Sequence, residues 1–195
     1  MQRTVRAERL GGGWVLAGGL LFLMVLGMAI LVSPVVALLG DGANAFAAAM
    51  HGMMAFMLMI TATIGLYQGY RLFRDELVDL HDVLLPSVIN ALLALFTIVF
   101  GNWIYIPYRA TGGPREVFLN TNPAVHKIFF EFKEYIALFA LPLAVAAAFI
   151  LLYYKTDVIH RPWLRYSVAV LLGLVFFTVM VAFGLGAAIT KLQAA

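Results

Sequence analysis

The stretch "VLLPSVINALLALFTIVFGNWIYIPY", residues 83–108, decides the fold. No charged side chain interrupts it, and it exceeds the roughly 20 residues that an α-helix needs to cross hydrocarbon. Its apolar residues run on without the alternation of a membrane β-barrel strand, so the segment reads as a helix. Four more runs have the same character: Gly11–Gly40, Gly42–Tyr70 with only His51 inside it, Tyr135–Tyr154 and Tyr166–Thr190. The 195-residue chain is 64% hydrophobic and 12% charged, whereas soluble domains carry about a quarter charged residues. These observations predict an all-α polytopic membrane protein, a bundle of five transmembrane helices. The bundle forms a single transmembrane helical domain, residues 1–195, with spans near 14–39, 45–70, 84–107, 128–154 and 164–190.

Lysine and arginine give the orientation, because they concentrate on the cytoplasmic side. Arg3, Arg6, Arg9, Arg71, Arg74, Lys155, Arg161 and Arg165 fall on one side, against Arg109, Arg115, Lys127, Lys133 and Lys191 on the other. The expected topology has the N-terminus in the cytoplasm and the C-terminus outside, in the cell inner (cytoplasmic) membrane. The basic pI reflects that bias and implies no nucleic-acid partner. The first run could serve as a secretory signal with "ANA" at 43–45 as its cleavage site, but its length favours an uncleaved anchor. The sequence has no cysteine, which excludes disulfides, c-type haem attachment and cysteine-ligated iron–sulfur clusters within the chain.

Between the spans, "RLFRDELVDLHD" (71–82) lacks Gly and Pro and is expected to continue as an interfacial helix. "TGGP" (111–114) marks a turn in the longest loop, and Asn122-Pro123 suits a helix start. Gly65 and Gly69 form a small-xxx-small pair, as helices that approach closely in membranes use.

Four histidines separate by side: His51 and His126 on the outer side, His81 and His160 on the inner. His51 lies inside a span, where an ionisable side chain points to function. Ala47, Ala48, Gly52 and Ala55 surround it and leave a slot in which a flat macrocycle could lie, and "FGLGAA" (183–188) offers a second small patch at similar depth. Two readings stand for His51, a haem or other redox ligand and a hydrogen-bonded bundle histidine. His126 is the candidate second ligand of a haem iron. Counted from the inner anchors at about 1.5 Å per residue, His126 lies well above His51, whereas Glu134 lies level with it. Met50, Met53, Met54, Met57 and Met59 add a copper-handling alternative, since thioethers and imidazole suit Cu(I), though Met also packs adaptably.

"AVHKIFFEFKEY" (124–135) places His126, Lys127, Glu131, Lys133 and Glu134 at the mouth of the fourth span. Helical spacing sets Lys127 against Glu131 and aligns His126, Phe130 and Glu134 on one face. The charges read either as a solvated collar or as a quinone and proton site near the outer face. A quinone needs an apolar slot, donors for its carbonyls and an ionisable relay. His126, Lys133, Glu134, Asn102, Trp103, Tyr105 and Tyr108 are the candidates for it, and the Trp and Tyr residues equally suit an interfacial belt.

A chain of this length and span number, with histidines grouped by membrane side, resembles the b-type cytochrome membrane subunits of respiratory oxidoreductases. The resemblance rests on architecture and on the spans carrying His51 and His126; His81 and His160 fall outside the spans. It implies haem b held by histidines and exchange with quinone; the spans themselves, filling nearly the whole chain, leave no room for a soluble catalytic module. Membrane lipid, other subunits of a complex and a redox partner protein are the expected contacts. The rival expectations are a non-redox structural or assembly subunit, and a small carrier or copper-handling protein. No inverted repeat supports a transporter.

Overall fold

The computed structural model describes residues 42–76 and 78–194. The first predicted span, 14–39, and Arg3, Arg6 and Arg9 lie outside the described residues. The chain divides at Phe46 into two compact units, of which the second, Ala47–Ala195, holds the helical bundle.

Every regular element among the described residues is helical: α1 (Ala43–Phe73), α2 (Leu80–Arg109), α3 (Pro114–Thr121), a π-helical segment (Val125–Phe130), α4 (Glu131–Tyr154), α5 (Asp157–His160) and α6 (Pro162–Ala194). Among the described residues four helices are long and apolar enough to cross a membrane: Ala43–Phe73, Leu80–Arg109, Val125–Tyr154 and Pro162–Leu192. They match the last four predicted spans to within a few residues. Large apolar side chains such as Phe56, Tyr67, Leu138, Val170 and Phe177 point outward, as expected of helices in contact with membrane lipid.

The four helices run antiparallel in sequence order. One end carries α3 and the longest loop (the loop end); the other carries the two short links (the link end). At the link end, Leu72, Val83, Leu151, Val158, Leu164, Val168 and Leu172 form a cluster of bulky side chains. In the middle the packing changes to small residues, Ala62, Ala94, Ala140 and Ala144, with Leu58, Val175 and Val179. Lipid is as apolar as these side chains, so association depends on close packing and interhelical hydrogen bonds. Gly69 shows the first: a Cβ there would lie 3.3 Å from Leu172 and 3.4 Å from the Ala169 backbone.

Asn90 shows the second. It is fully buried in mid-bundle, and its Oδ1 accepts from the Thr61 hydroxyl at 2.6 Å. Its Nδ2 donates to the Thr61 carbonyl at 3.4 Å. Gly65 opens the gap through which the amide reaches α1, since a Cβ there would stand 3.1 Å from Nδ2.

The α1–α2 link departs from expectation. The predicted interfacial helix over 71–82 does not form. Helix α1 ends at Phe73, Asp75 takes a left-handed conformation at φ 61°, and its carboxylate pairs with the buried Arg165 guanidinium of α6. Asp79 then caps α2 by accepting from the His81 backbone N–H at 3.0 Å. The helix thus stops at a left-handed Asp75 paired with a buried arginine, without the Gly or Pro that ordinarily marks such a break. Among the described residues the basic side chains divide evenly, with Arg71, Arg74, Lys155, Arg161 and Arg165 at the link end and Arg109, Arg115, Lys127, Lys133 and Lys191 at the loop end.

Removing either partner of the mid-bundle tie should loosen α1 from α2. Thr61→Val and Asn90→Ala are each expected to lower stability in detergent. Their double-mutant coupling should be about 0.5–2 kcal/mol, and additive losses would show that the two groups do not bond.

Candidate functional site

His51 sits eight residues into α1, half-buried, where its neighbours on the helix are alanine and glycine. Its Nδ1 lies 2.8 Å from the Thr97 carbonyl oxygen of α2. A carbonyl can only accept, so the ring donates from Nδ1, and in the neutral imidazole the lone pair resides on Nε2. Thr97 makes its own hydroxyl bond within α2, to the Leu93 carbonyl at 2.7 Å. One turn on, Gly101 lets the ring approach: a Cβ there would stand 3.1 Å from Cε1 and 3.2 Å from Nδ1 of His51. These are atoms of a rigid ring, so a side chain at 101 would push the imidazole off the helix.

Lys133 of α4 is a charged neighbour of the His51 ring among the described residues. The lysine stem lies against Gly186 of α6, where a built Cβ would meet Cε at 3.4 Å. Its ammonium stands 5.6 Å from the centre of the Phe130 ring. The small patch of "FGLGAA" thus receives the lysine at Gly186, whereas Gly184 has open space beside it. Glu134, next along α4, has Tyr105, Lys133, Arg109 and Glu131 as its electrostatic neighbours. Helices α1, α2, α4 and α6 therefore bring His51, Thr97, Gly101, Lys133, Glu134 and Gly186 to one part of the bundle, towards the loop end.

His126 belongs to a different layer. It is 1% exposed, and both ring nitrogens are engaged. Nδ1 lies 2.9 Å from the Tyr108 hydroxyl, and the Arg115 Nε–H of α3 donates to Nε2 at 3.2 Å. The contact residue Tyr108 is seven residues beyond Gly101 on α2, about 10 Å along the axis. The π-helical segment explains the partner on the other side. Its wider turn stacks residues five apart, so Glu131 comes over His126, with Oε1 3.6 Å from Nε2, where α-helical spacing had set Glu131 against Lys127. π-Turns occur often at functional sites. Phe130 stacks flat on Tyr108 with centroids 4.3 Å apart, Tyr105 lies parallel to both, and the Arg109 guanidinium lies 4.8 Å from the Tyr105 ring centre.

The remaining candidates stay apart. Asn102 is exposed, and Trp103 stacks on Phe100 at 6.2 Å. His81 and His160 are exposed near the link end. Met53 and Met57 point outward and Met59 packs against the mid-bundle core. No group of three or more His, Asp or Glu side chains poised for a metal ion occurs among the described residues. Thr97 and Gly101 were not among the sequence candidates; the signal was an isolated glycine in the bulky run "TIVFGNW", which marks a close approach. No family model, curated protein or solved structure matches the chain.

Nitrogen-15 spectra of histidine-labelled protein should show His51 protonated on Nδ1 and bare on Nε2. Gly101→Val should abolish the hydrogen-bonded Nδ1 signal while leaving that of His126 in place. A His51 proton on Nε2, or indifference to the valine, would contradict this geometry.

Proposed function

We propose that this chain is an integral membrane subunit of an electron-transfer complex. In this reading its redox group, haem b or a quinone, sits at His51 near the outer face, and electrons pass between the quinone pool and a partner protein. The observation that carries the reading is the His51 ring itself. An imidazole inside a span, anchored through Nδ1–H to a backbone carbonyl, keeps an Nε2 lone pair with no hydrogen-bond partner among the described residues. That arrangement orients metal-ligating histidines, whose second nitrogen donates to a carbonyl or carboxylate. It equally suits the base that receives a quinol hydroxyl proton.

The residues present fit the two groups differently. Haem b would supply a one-electron iron centre, and His51 would hold it through Nε2. His126 is unsuited as the opposite ligand, because Arg115 occupies its Nε2 and Tyr108 its Nδ1. A haem held at His51 would not draw a second ligand from His126. For a quinone the chain offers more: His51 as acceptor, the Lys133 ammonium as donor to a carbonyl, and Glu134 with Tyr105 to take up the accompanying proton. Asn102 and Trp103 fall to the interfacial belt. The topology belonging to this reading has five spans and a cytoplasmic N-terminus in the inner membrane. Its support is Arg3, Arg6 and Arg9, since the described basic residues are balanced between the two ends.

Visible spectra of the purified protein, oxidised and dithionite-reduced, test the haem form. A Soret and α band should vanish in His51→Ala and persist in His126→Ala. Without such bands, titration with a short-chain quinone tests the other form. His51→Gln and Lys133→Met should each weaken binding about tenfold, the equivalent of one lost hydrogen bond. A protein with neither haem bands nor quinone affinity would overturn the proposal and leave a structural subunit.

A further inference from the structure

We infer that His126 is a buried proton-binding site that governs the docking of helix α3, independently of what occupies His51. Two groups compete for one nitrogen. Arg115 Nε lies 3.2 Å from His126 Nε2, Glu131 Oε1 lies 3.6 Å from the same atom, and the ring is 1% exposed. An arginine N–H can only donate and a carboxylate can only accept. When Nε2 carries a lone pair it binds Arg115 and leaves Glu131 unbonded at that position. When Nε2 carries a proton it donates to Glu131, and the imidazolium repels the guanidinium. The Arg115 and Glu131 bonds to this nitrogen are mutually exclusive, and protonation selects between them.

The groups facing the ring from every side support the assignment. Tyr108 of α2 bonds Nδ1 in either state, because a hydroxyl accepts from Nδ1–H. The surrounding charges are Arg109 of α2, Arg115 of α3, Lys127 of the π-helical segment and Glu131 of α4. Helix α6 brings the exposed Lys191 to this end of the bundle. Arg109, Arg115 and Lys127 are the cations around the ring and Glu131 is the carboxylate beside it, so a proton on Nε2 finds its acceptor in Glu131.

Helix α3 has few other anchors. It has eight residues, its N-cap Gly113 makes no side-chain cap, and Phe118 is its buried side chain, packed with Tyr108 and Val125. Gly113 holds the start of the helix against α2: a Cβ there would lie 2.7–2.8 Å from the carbonyl oxygens of Pro107, Tyr108 and Ala110. Arg115 stands in the first turn of α3, so loss of its bond removes the polar anchor of that turn on His126 and leaves Phe118 to hold the helix. Imidazole titrates between about pH 5 and 8, so the device would respond to acidification of the compartment that bathes the loop end.

The chain has no cysteine, so a spin label at Asn120→Cys, on the exposed side of α3, reports on this helix alone. In nanodiscs the label should be immobilised at pH 8 and develop a mobile fraction along a one-proton curve towards pH 5. Gln keeps an acceptor for Arg115 but cannot titrate, so His126→Gln should hold the label immobile throughout. In Glu131→Gln, which alters an exposed side chain, the transition should move to lower pH. A wild-type label unchanged from pH 8 to 5, or a transition surviving in His126→Gln, overturns the inference. Should the His126 variant fail to fold, an unmoved transition in Glu131→Gln overturns it equally.

Discussion

The bond from the His51 imidazole to the Thr97 carbonyl governs the arrangement of the loop-end half of the bundle. Within hydrocarbon an unsatisfied polar group costs several kcal/mol, so a histidine inside a span must find a partner or carry a ligand. Here one nitrogen finds a carbonyl at 2.8 Å, and that choice settles the state of the other. It also sets register. His51–Thr97 and Thr61–Asn90 tie the same two antiparallel helices at points separated by roughly 15 Å on α1 and 10 Å on α2. A slip of one residue would break both. Glycines stand beside each tie, Gly101 under the imidazole and Gly65 under the amide, because polar groups reach a neighbouring helix only where a side chain is missing.

The loop end then divides into two chemically distinct layers. The deeper one holds His51, Lys133 and Glu134 among small residues, with an imidazole nitrogen available to a ligand. In the upper one both nitrogens of His126 are engaged, by Tyr108 and Arg115, with Glu131 close by, and Tyr108 belongs to a stack of three aromatic rings. The π-helical segment separates them. By setting Glu131 beside His126 rather than beside Lys127, it keeps a carboxylate in the upper layer, while Lys133 and Glu134 in the first turn of α4 belong to the lower one.

Much of this was legible in the sequence. Uncharged runs longer than a bilayer crossing gave the four described spans, and the depth count from the link-end anchors separated His126 from the level of His51 and associated Glu134 with it. The rest depended on interactions that no local pattern encodes. The α1–α2 link contains neither Gly nor Pro, yet the helix breaks there, at an Asp75 whose carboxylate pairs with Arg165, ninety residues away in sequence. The partner of Glu131 changed because one turn is π-helical, a difference of one residue in register. Asn90 looked like an isolated polar residue in an apolar run, and Thr97 and Gly101 carry no motif; each acquires meaning only when α1 packs against α2.

His51 lies against Gly101, and His126 lies a layer above it. The cysteine-free chain permits a direct measurement by crosslinking with a short bis-maleimide in native membranes. The pair His51→Cys and Gly101→Cys should link efficiently, and the pair His126→Cys and Gly101→Cys should not. Equal linking of both pairs would place the two histidines at one level, and linking of the second pair alone would reverse them; either result contradicts this arrangement.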